Sequence, residues 1–484
     1  MTQFNSQEQT IYHSLAWQIQ LGFFNDDEHF PTVQEVANRF HVSYCPAQRA
    51  LKALEKDGLI KLRKGKKTIV VAKPYKDYLK SDKFQQKVCA LIDLCKTLKL
   101  FSSAICFQGL VHMDNPVDLP QFPCDDELTA WTKCLYLLFR KSIQGLGSQT
   151  AASLYYDIGA FAGNAFQDIM REIYSEKAGQ VMKSLTQAFM QCLADCQNRR
   201  YLESKTGLER IERRFFNELE KYLQSLEPAS RICHKEFIWE PMKGRTRYCD
   251  VIAIDLICKI NQGIYALNSK FPNRSVLADT YHVSEITIRR TMELLNRIGI
   301  AKTINGVGTR VACTGDVSVL NSLKALKIDS NLKTFLEALQ LFAITSQVVI
   351  EYTFPHIPAD TLDAISNALR IKEQKSSLVA TLSACLQSII HYCPLSTIRE
   401  IYGKITLLLL NGSILRIAET GREIVPEWTD TVKQLLDSLH KKDGPRFASV
   451  FQKYVADKHF NITKQVLLEN GFAEMDKVSG LINV

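Results

Sequence analysis

The chain has 484 residues, 46% of them hydrophobic and 23% charged, which is the composition of an ordinary globular protein and excludes a fibrous or largely disordered one. Its formal net charge of +9 at pH 7 favours a polyanionic partner, although the location of the basic residues matters more than their number. At roughly 100–200 residues per domain, the length predicts three or four domains.

The cysteines and the amino terminus bear on the compartment. Fourteen cysteines are scattered without a repeated framework, and the first residues show no basic-then-apolar signal pattern. These features predict a cytoplasmic protein with reduced thiols. The leucine run Leu407–Leu410 is far shorter than the ~20 apolar residues that a membrane span needs, so we expect no membrane partner.

The first predicted element is a helix. Apolar side chains at Ile11, Leu15 and Ile19 are spaced by four and line one face of a helix, and Gly22 follows as its stop. A second helix is predicted from Pro31 to Phe40, where apolar residues again form a narrow stripe.

A third helix follows after a short break. His41-Val42-Ser43 interrupts the periodicity, and helical spacing then resumes and continues to Gly58. Ser43 is expected to cap this helix by accepting an unpaired amide of the first turn. Pro46 falls inside that turn, where its missing N–H costs little.

Extended, β-branched sequence replaces the helical pattern after Gly58. We predict a hairpin of residues 59–63 and 68–71 around the turn Lys64-Gly65-Lys66. Three short helices with a tight second-to-third turn and a following hairpin describe a winged helix-turn-helix. The third helix of such a unit fits the major groove of DNA.

The same unit occurs a second time. Three of its landmarks return 241 positions further along the chain, which indicates an internal duplication. They are Pro31, Gly58 and Gly65, which recur as Pro272, Gly299 and Gly306. In the second copy Ser284 is the expected cap, and residues 300–304 and 309–312 form the hairpin around an Asn-Gly turn.

Long stretches with few glycines and helical periodicity follow each hairpin, at residues 78–224 and 317–474. The expected fold is therefore mainly α, with two winged helix-turn-helix domains alternating with two all-helical domains. The predicted boundaries are 1–75 and 241–315 for the winged domains, and 76–240 and 316–484 for the helical ones.

The motifs resemble those of the GntR family of bacterial transcription regulators. Copy two has Pro272, Val283-Ser284, Thr287-Ile288-Arg289-Arg290, Gly299-Ile300 and Gly306-Val307-Gly308-Thr309. Copy one has Pro31, Val42-Ser43, Arg49-Ala50-Leu51, Gly58-Leu59 and Gly65-x-x-Thr68. The resemblance implies that both winged units bind DNA and that the helical domains bind a small effector and mediate dimerisation.

Both copies also depart from the family pattern. Tyr44 and Glu285 stand where the family usually has arginine, and Gln48 stands where the second copy has the more typical Arg289. A glutamate near DNA either accepts from cytosine N4 or opposes binding. The two winged units, called the first and second heads below, are therefore not expected to read identical DNA sequences.

The predicted DNA-binding residues lie on the third helix, the wing and the start of the second helix of each copy. In the first head they are Gln34, Ser43, Tyr44, Cys45, Gln48, Arg49, Lys52, Lys64, Gly65, Lys66 and Lys67. In the second head they are Ser275, Ser284, Glu285, Thr287, Arg289, Arg290, Asn305, Gly306 and Gly308.

Polar groups in otherwise apolar helices are the candidates for an effector site, because a pocket needs a few such groups to orient its ligand. They are Tyr155, Tyr156, Asn164, Tyr352, Arg399, Tyr402, Asn411 and Arg416. The alternative explanation of these residues is ordinary capping and hydrogen bonding.

No metal and no cofactor are predicted. His112, His356 and His391 are isolated from one another in the sequence. Cys192 and Cys196 are four residues apart on one helical face, but without a second pair they are expected to be packed thiols. The charged stretch 209–221 is expected to be a solvated helix face whose arginines and glutamates pair.

The leading interpretation is a cytoplasmic bacterial transcription regulator that binds a double-stranded DNA operator with two heads in one chain. Ordinary family members place two heads on a palindrome by forming homodimers, so a fused duplicate is expected to act as an intrachain pseudo-dimer or to form a homodimer with four heads. The alternative is a degenerate winged-helix protein that acts through protein contacts or DNA architecture. Neither a phosphate-binding loop nor paired catalytic carboxylates occur, so no enzymatic activity is predicted.

Overall fold

The computed structural model divides the chain into two compact units. The first comprises residues 1–244 with 389–401 and 484, and the second comprises residues 245–388 with 402–483. The structure describes residues 7–20, 22–24, 30–40, 42–63, 67–71, 78–113, 122–123, 125–226, 235–241, 248–261, 264–304, 306–312, 329–372, 374–412 and 428–482.

The first head consists of three helices and a short hairpin, as predicted. The helices are α1 (Gln7–Gln20), α2 (Val33–Phe40) and α3 (Tyr44–Lys56), and the strands are β1 (Ile60–Lys61) and β2 (Ile69–Val70). The strands pair antiparallel over only two residues each, so the ladder is shorter than the sequence indicated. Apolar faces of the three helices form one buried core, which includes the predicted α1 stripe of Ile11, Leu15 and Ile19.

The second head repeats this arrangement. Its helices are α10 (Tyr248–Asn261), α11 (Arg274–Tyr281) and α12 (Glu285–Arg297), and its strands are β3 (Ala301–Ile304) and β4 (Gly308–Val311). Here the antiparallel ladder has four residue pairs, from Ala301↔Val311 to Ile304↔Gly308. The helix–helix–helix–hairpin order predicted from the sequence is thus present in both copies.

The end of the third helix is built in the same way in both heads. Gly58 and Gly299 have φ angles of +71° and +76°. A residue with a side chain is strained in this left-handed region, whereas glycine adopts it freely and turns the chain from the helix into the wing. These two landmarks of the duplication therefore have a conformational cause.

The start of the third helix differs between the heads. In the second head the Ser284 hydroxyl accepts a hydrogen bond from the backbone N–H of Thr287 at 3.3 Å, as expected of a cap. In the first head the Ser43 side chain makes no such bond, so that part of the prediction is wrong. The reason is Pro46, which occupies the position of Thr287 and has no N–H to donate.

The rest of the first unit is a helical bundle. After a 3₁₀ turn at Tyr78–Lys80 it contains α4 (Asp82–Gln85), α5 (Val88–Val111), α6 (Leu128–Gly145), α7 (Gln149–Tyr174), α8 (Ala178–Gln197) and α9 (Tyr201–Ser225), with a 3₁₀ turn at Ser175–Lys177. Helix α5 is buried along most of its length. On α5, the Asp93 carboxylate accepts the backbone N–H groups of Ser396 and Thr397 at 3.0 and 2.8 Å, so a later segment of the chain belongs to this unit.

The second unit has a second set of helices. They are α13 (Asp329–Thr353), α14 (Ala359–Leu369), α15 (Gln374–Tyr392), α16 (Ser396–Leu409), α17 (Trp428–His440), α18 (Gly444–Tyr454) and α19 (Asn461–Glu469), of which α15 and α16 also contribute to the first unit. A π-helical turn, Val455–Phe460, joins α18 to α19, and 3₁₀ turns lie at Phe354–His356, Leu410–Gly412 and Ala473–Lys477. Within the described residues one stretch, Asn331–His356, is long and apolar enough to cross a membrane, but 78% of its apolar window is buried inside the protein, as in the core helix of a globular fold.

The first head is fixed to its neighbouring bundle by an aromatic contact. The Trp17 indole of α1 lies against Gly159 and Gly163 of α7, and a Cβ atom at Gly163 would overlap the indole. The Trp17 ring also packs on Phe23 and on Tyr136 of α6, with centroid distances of 5.5 and 5.0 Å. Burial of these large rings holds α1 against α6 and α7.

The difference in capping predicts different responses to the same substitution. Ser284→Ala removes a cap and is expected to lower the free energy of unfolding by about 1 kcal/mol. Ser43→Ala removes no cap and should change the free energy of unfolding by only a few tenths of a kcal/mol. Urea denaturation of each variant, followed by circular dichroism, gives the two midpoints.

A restored donor provides the control for this experiment. In a Pro46→Thr background Ser43 regains an amide to accept, so Ser43→Ala should then be as costly as Ser284→Ala. Equal costs of Ser43→Ala and Ser284→Ala in the unaltered chain would show that Pro46 does not determine the difference.

Candidate nucleic-acid interface

Helix α12 of the second head has one buried and one exposed face. Ile288, Thr291, Met292 and Leu295 are buried at the three- and four-residue spacing of a helix. The opposite face is polar and exposed: Glu285, Arg289, Arg290, Glu293 and Arg297, together with Ile286. Three of these six side chains carry a positive charge, so the free face of the helix is cationic at its centre and at its end.

Arg289 has an acidic neighbour on its own helix. The Arg289 Nε lies 3.5 Å from a Glu293 carboxylate oxygen, and both side chains are 55% exposed. Exposed pairs at this spacing are worth only about 0.2–0.5 kcal/mol. The pair therefore orients the guanidinium weakly and leaves it available to a stronger anionic partner.

Helix α3 of the first head presents different chemistry on the same face. Its buried residues include Ala47, Ala50, Leu51 and Leu54. The predicted contact residues lie outward: Tyr44, Cys45, Arg49 and Lys52 are exposed and Gln48 is half-buried. This face thus has an aromatic ring and an amide where the second head has a glutamate and an arginine.

Arg49 forms an ion pair that has no counterpart in the second head. Its Nε lies 3.1 Å from a carboxylate oxygen of Glu8 on α1. The residue 241 positions after Glu8 is Cys249, which is buried, and the equivalent of Arg49 is Arg290. Within the described part of the chain Arg290 has no acidic partner, whereas Arg49 is paired with Glu8.

The wings add further positive charge. Lys61, Arg63 and Lys67 are exposed in the first head, as is Lys302 in the second. Gly306 and Gly308 lie exposed at the tip of the second hairpin. Four of the predicted wing residues lie outside the described residues: Lys64, Gly65, Lys66 and Asn305.

The remaining predicted contacts lie on the second helix of each head and in the first turn of α12. Gln34, near the start of α2, is exposed and donates to the Asn38 side chain at 3.0 Å. Ser275 is exposed near the start of α11. Thr287 is half-buried and its hydroxyl lies 3.0 Å from that of Ser284, so both oxygens serve the helix cap.

The three effector candidates of the first unit do not form one site. The Tyr155 hydroxyl lies 3.0 Å from that of Ser102 inside the bundle. Tyr156 instead packs on Phe40 of the first head, with a centroid distance of 5.6 Å, and Asn164 is half-buried. Their role in binding an effector stays a prediction.

The later effector candidates have local partners. The Tyr402 hydroxyl is buried 2.9 Å from that of Thr345, and the Arg399 guanidinium donates to the Cys393 carbonyl at 2.6 Å. Tyr352 is 38% exposed. Arg416 and the Asn411 side chain lie outside the described residues, and the effector role of these five also stays a prediction.

One buried ionisable group was missed by the sequence reading. Glu212, in the stretch expected to be a solvated face, is only 8% exposed, and Cys106 donates to its Oε1 at 3.5 Å. Burial raises the pKa of this carboxyl to about 8, so it is mostly protonated at neutral pH. The signal available in the sequence was its position between Leu208 and Phe216 on the apolar stripe of α9.

The Cys192 and Cys196 thiols are buried, as expected of packed thiols. Burial raises the pKa of Cys192 to about 12 and also raises that of Cys196, which makes both thiols poor nucleophiles. Among the described residues, no group of three His, Cys, Asp or Glu side chains is placed to hold a metal ion.

Comparison with known proteins agrees with the geometry of the heads. Residues 7–70 and 250–311 match the family model described as "Bacterial regulatory proteins, gntR family". These are the two helix–hairpin units described above. Two segments of the chain are therefore gntR-type domains. These two matches support a DNA-binding transcription regulator. No curated protein sequence matches the chain.

Solved structures similar to the chain have related titles. "Streptococcus agalactiae GntR" is 17% identical, with 43% of this chain and 97% of that chain covered and a TM-score of 0.19. A GntR family transcriptional regulator from Pseudomonas syringae pv. tomato is 15% identical, with 45% of this chain and 86% of that chain covered and a TM-score of 0.21. A structure titled for Lar of Listeria monocytogenes is 13% identical, with 49% of this chain and 100% of that chain covered and a TM-score of 0.19. At values this low, the assignment rests on the family model.

The buried carboxyl predicts a pH dependence of stability. Because its pKa in the folded protein lies above the ordinary value of 4.5, Glu212 holds a proton that the unfolded chain loses first. Its contribution is therefore fully present below pH 4.5 and is lost as the pH rises through about 8. Glu212→Gln should stabilise the protein at pH 7, by at most about 3 kcal/mol, and should make little difference at pH 4.

Denaturation midpoints at several pH values test this expectation. Glu203→Gln, at an exposed position of the same helix, is the matched control and should leave the pH profile unchanged. A Glu212→Gln profile parallel to that of the unaltered protein would rule out a buried proton at this residue.

Proposed function

We propose that the protein is a cytoplasmic, non-enzymatic transcription regulator whose two winged heads contact one DNA operator. The observation that carries the proposal is the outward face of α12, where Arg289, Arg290 and Arg297 are exposed beside a hairpin wing. A helix of this kind fits the major groove, and its arginines contact phosphates and base edges. The match of both heads to the gntR family model supports the same function.

The contrast between Gln48 and Arg289 suggests that the half-sites differ. The two residues are equivalent in the duplication, and arginine pairs best with guanine whereas glutamine pairs with adenine. Glu285 is suited to accept from cytosine N4, while exposed Tyr44 and Ile286 are suited to contact a thymine methyl group. We infer an imperfect palindrome with one preferred base pair changed at the position of these residues.

Two heads in one chain suggest how the operator is engaged. We propose an intrachain pseudo-dimer, which reads two half-sites without a second chain and can associate further into a homodimer. The helical bundles are proposed to bind a small effector and to shift the placement of the heads. Such control requires the effector to prefer one arrangement.

The alternative of a degenerate protein that does not read DNA is less well supported. The family match of both copies favours DNA binding over a purely architectural role.

Arginine substitutions, made separately, test the proposal. Arg289→Ala removes a proposed guanine contact, so operator affinity should fall by about 1–3 kcal/mol, and base preference at that position should relax. Arg49→Ala should have a smaller effect, because Glu8 already compensates its charge. Fluorescence anisotropy with an operator selected from random DNA gives both affinities.

The control is Lys433→Ala, which removes an exposed charge from a helix of the second unit and should not change DNA affinity. If neither arginine variant binds more weakly than this control, the recognition surface is assigned wrongly. If only Arg289→Ala does, Arg49 makes no contact with the operator while it is paired with Glu8.

Removal of the acidic partner makes the opposite prediction for the first head. In Glu8→Gln the Arg49 guanidinium is no longer paired, so DNA affinity should rise by a few tenths of a kcal/mol up to about 1 kcal/mol. The slope of log affinity against log salt should steepen by about one unit if Arg49 then contacts a phosphate. Relative to Arg49→Ala alone, the Arg49→Ala/Glu8→Gln double variant should show neither the rise in DNA affinity nor the steeper salt slope. A higher affinity in the double variant than in Arg49→Ala would mean that Glu8 repels DNA directly.

A further inference from the structure

Two arginines lie close together where the first head contacts its helical bundle. Arg39 is near the end of α2 in the head, and Arg140 is on α6 of the bundle. Both side chains are half-buried. Neither belongs to the proposed DNA-contacting face, and neither was singled out by the sequence.

Aromatic and amide side chains surround the pair. The Arg39 guanidinium donates to the Gln18 side-chain oxygen at 3.1 Å and lies 5.8 Å from the centroid of the Phe40 ring, which packs on Tyr156. Tyr136 stands one turn before Arg140 on α6 and packs on the Trp17 indole. The head and the bundle thus contribute to one cluster, made of Trp17, Gln18, Arg39, Tyr136, Arg140 and Tyr156.

Among the described residues, the cluster has positive charge without a negative partner. Neither Arg39 nor Arg140 forms an ion pair with a described acidic residue. Burial lowers the pKa of Arg140, and the nearby charge of Arg39 lowers it further. Two like charges in a partly desolvated site repel each other, and an anion bound between them offsets this repulsion.

The cluster also contains unused hydrogen-bond donors. The Nε atoms of Arg39 and Arg140 and the Nε1 atom of Trp17 are buried, and none has a partner among the described atoms. A buried donor without an acceptor is costly, so native structures rarely keep several together. The two guanidinium groups, each with an Nε that has no described partner, form the donor set that a carboxylate or phosphate accepts from.

We propose that this cluster is a binding site for a small organic anion that bears a carboxylate or phosphate group. The anionic group would lie between the Arg39 and Arg140 guanidiniums, and the aromatic rings of Tyr136 and Tyr156 would contact the rest of the molecule. Because its ligands come from both α2 and α6, the bound anion strengthens the attachment of the first head to the bundle. An effect of this attachment on DNA binding rests on the proposed function, whereas the anion site itself does not.

The second head has different residues at the positions equivalent to those of this cluster. At the positions equivalent to Arg39 and Gln18 the second head has Thr280 and Lys259. The Lys259 ammonium is already paired with the Asp255 carboxylate at 2.9 Å, and the Thr280 hydroxyl donates to the Val276 carbonyl. The anion is therefore expected to bind the first unit alone.

Thermal unfolding of the full chain without DNA tests the site. Inorganic phosphate and acetate, each added against chloride at constant ionic strength, are the probes for the two chemistries. We expect one of them to raise the Tm by about 2–4 °C in a saturable way. Arg140→Gln and Arg39→Gln should each abolish the rise, whereas Lys141→Gln, which removes the adjacent charge on α6, should retain it.

The variants also report on the unliganded site. Since Arg140→Gln relieves repulsion between like charges, its Tm in chloride should be equal to or above that of the unaltered protein, so loss of folding is not expected. An equal Tm rise in Arg140→Gln, or no rise with either probe, overturns the proposal. A fall in DNA affinity in Arg140→Gln but not in Lys141→Gln, measured in chloride, also overturns it by assigning the cluster to DNA.

The outcome is separable from that of the proposed function. A saturable Tm rise together with an Arg289→Ala variant of unchanged DNA affinity supports the anion site and not the recognition surface. No Tm rise together with a weakened Arg289→Ala supports the reverse.

Discussion

The burial of one face of α3 and of α12 determines which side chains the opposite face exposes. In α12 the buried residues Ile288, Met292 and Leu295 leave Arg289 and Arg290 on the outside. A shift of register by one residue would place a guanidinium in the apolar core, at a cost far above the stability of so small a domain. The few apolar side chains of the head therefore set the position of every proposed contact.

The two heads share this constraint but differ in the residues it leaves free. The glycines that turn the chain into the wing and the apolar positions of the helices are equivalent, so the order of helices and strands is the same. The buried residues themselves differ in size, since Ala47 corresponds to Ile288 and Leu51 to Met292. Other positions have diverged as well: Gln48 corresponds to Arg289, Glu8 to Cys249, and Pro46 to Thr287. Two copies with the same element order and different outer faces are suited to two related but unequal binding sites.

The sequence predicted the helices and hairpins of both heads because each depends on local signals. Apolar spacing defines the helices, and glycines with positive φ define the ends. The missing cap at Ser43 was also visible in the sequence, since Pro46 has no amide to donate. The length of the first hairpin was not, because the number of paired residues depends on how the strands meet the helices.

Two features of the first unit needed the tertiary structure. Glu212 belongs to a charged stretch that has the composition of a solvated face, and although it continues the apolar stripe of α9, the packing of that helix against α5 establishes that its carboxyl is buried. Arg39 and Arg140 belong to different domains, so their approach could not be inferred from spacing. The predicted effector residues Tyr155 and Tyr156 are adjacent in sequence yet face different surroundings, since neighbouring positions on a helix point about 100° apart.

The attachment of the first head to α6 and α7 limits how the bundle can act on DNA. Trp17 lies against the bare backbone of α7 at Gly159 and Gly163, so movement of that helix displaces α1 and the core of the head with it. In sequence, Cys258 stands at the equivalent position of the second head, and a cysteine has no large ring for such a contact. A ligand in the first bundle can transmit to its head no more than the difference between its affinities for the two arrangements. Under the proposed function, control through this contact would adjust one half-site and leave the second head to hold the operator.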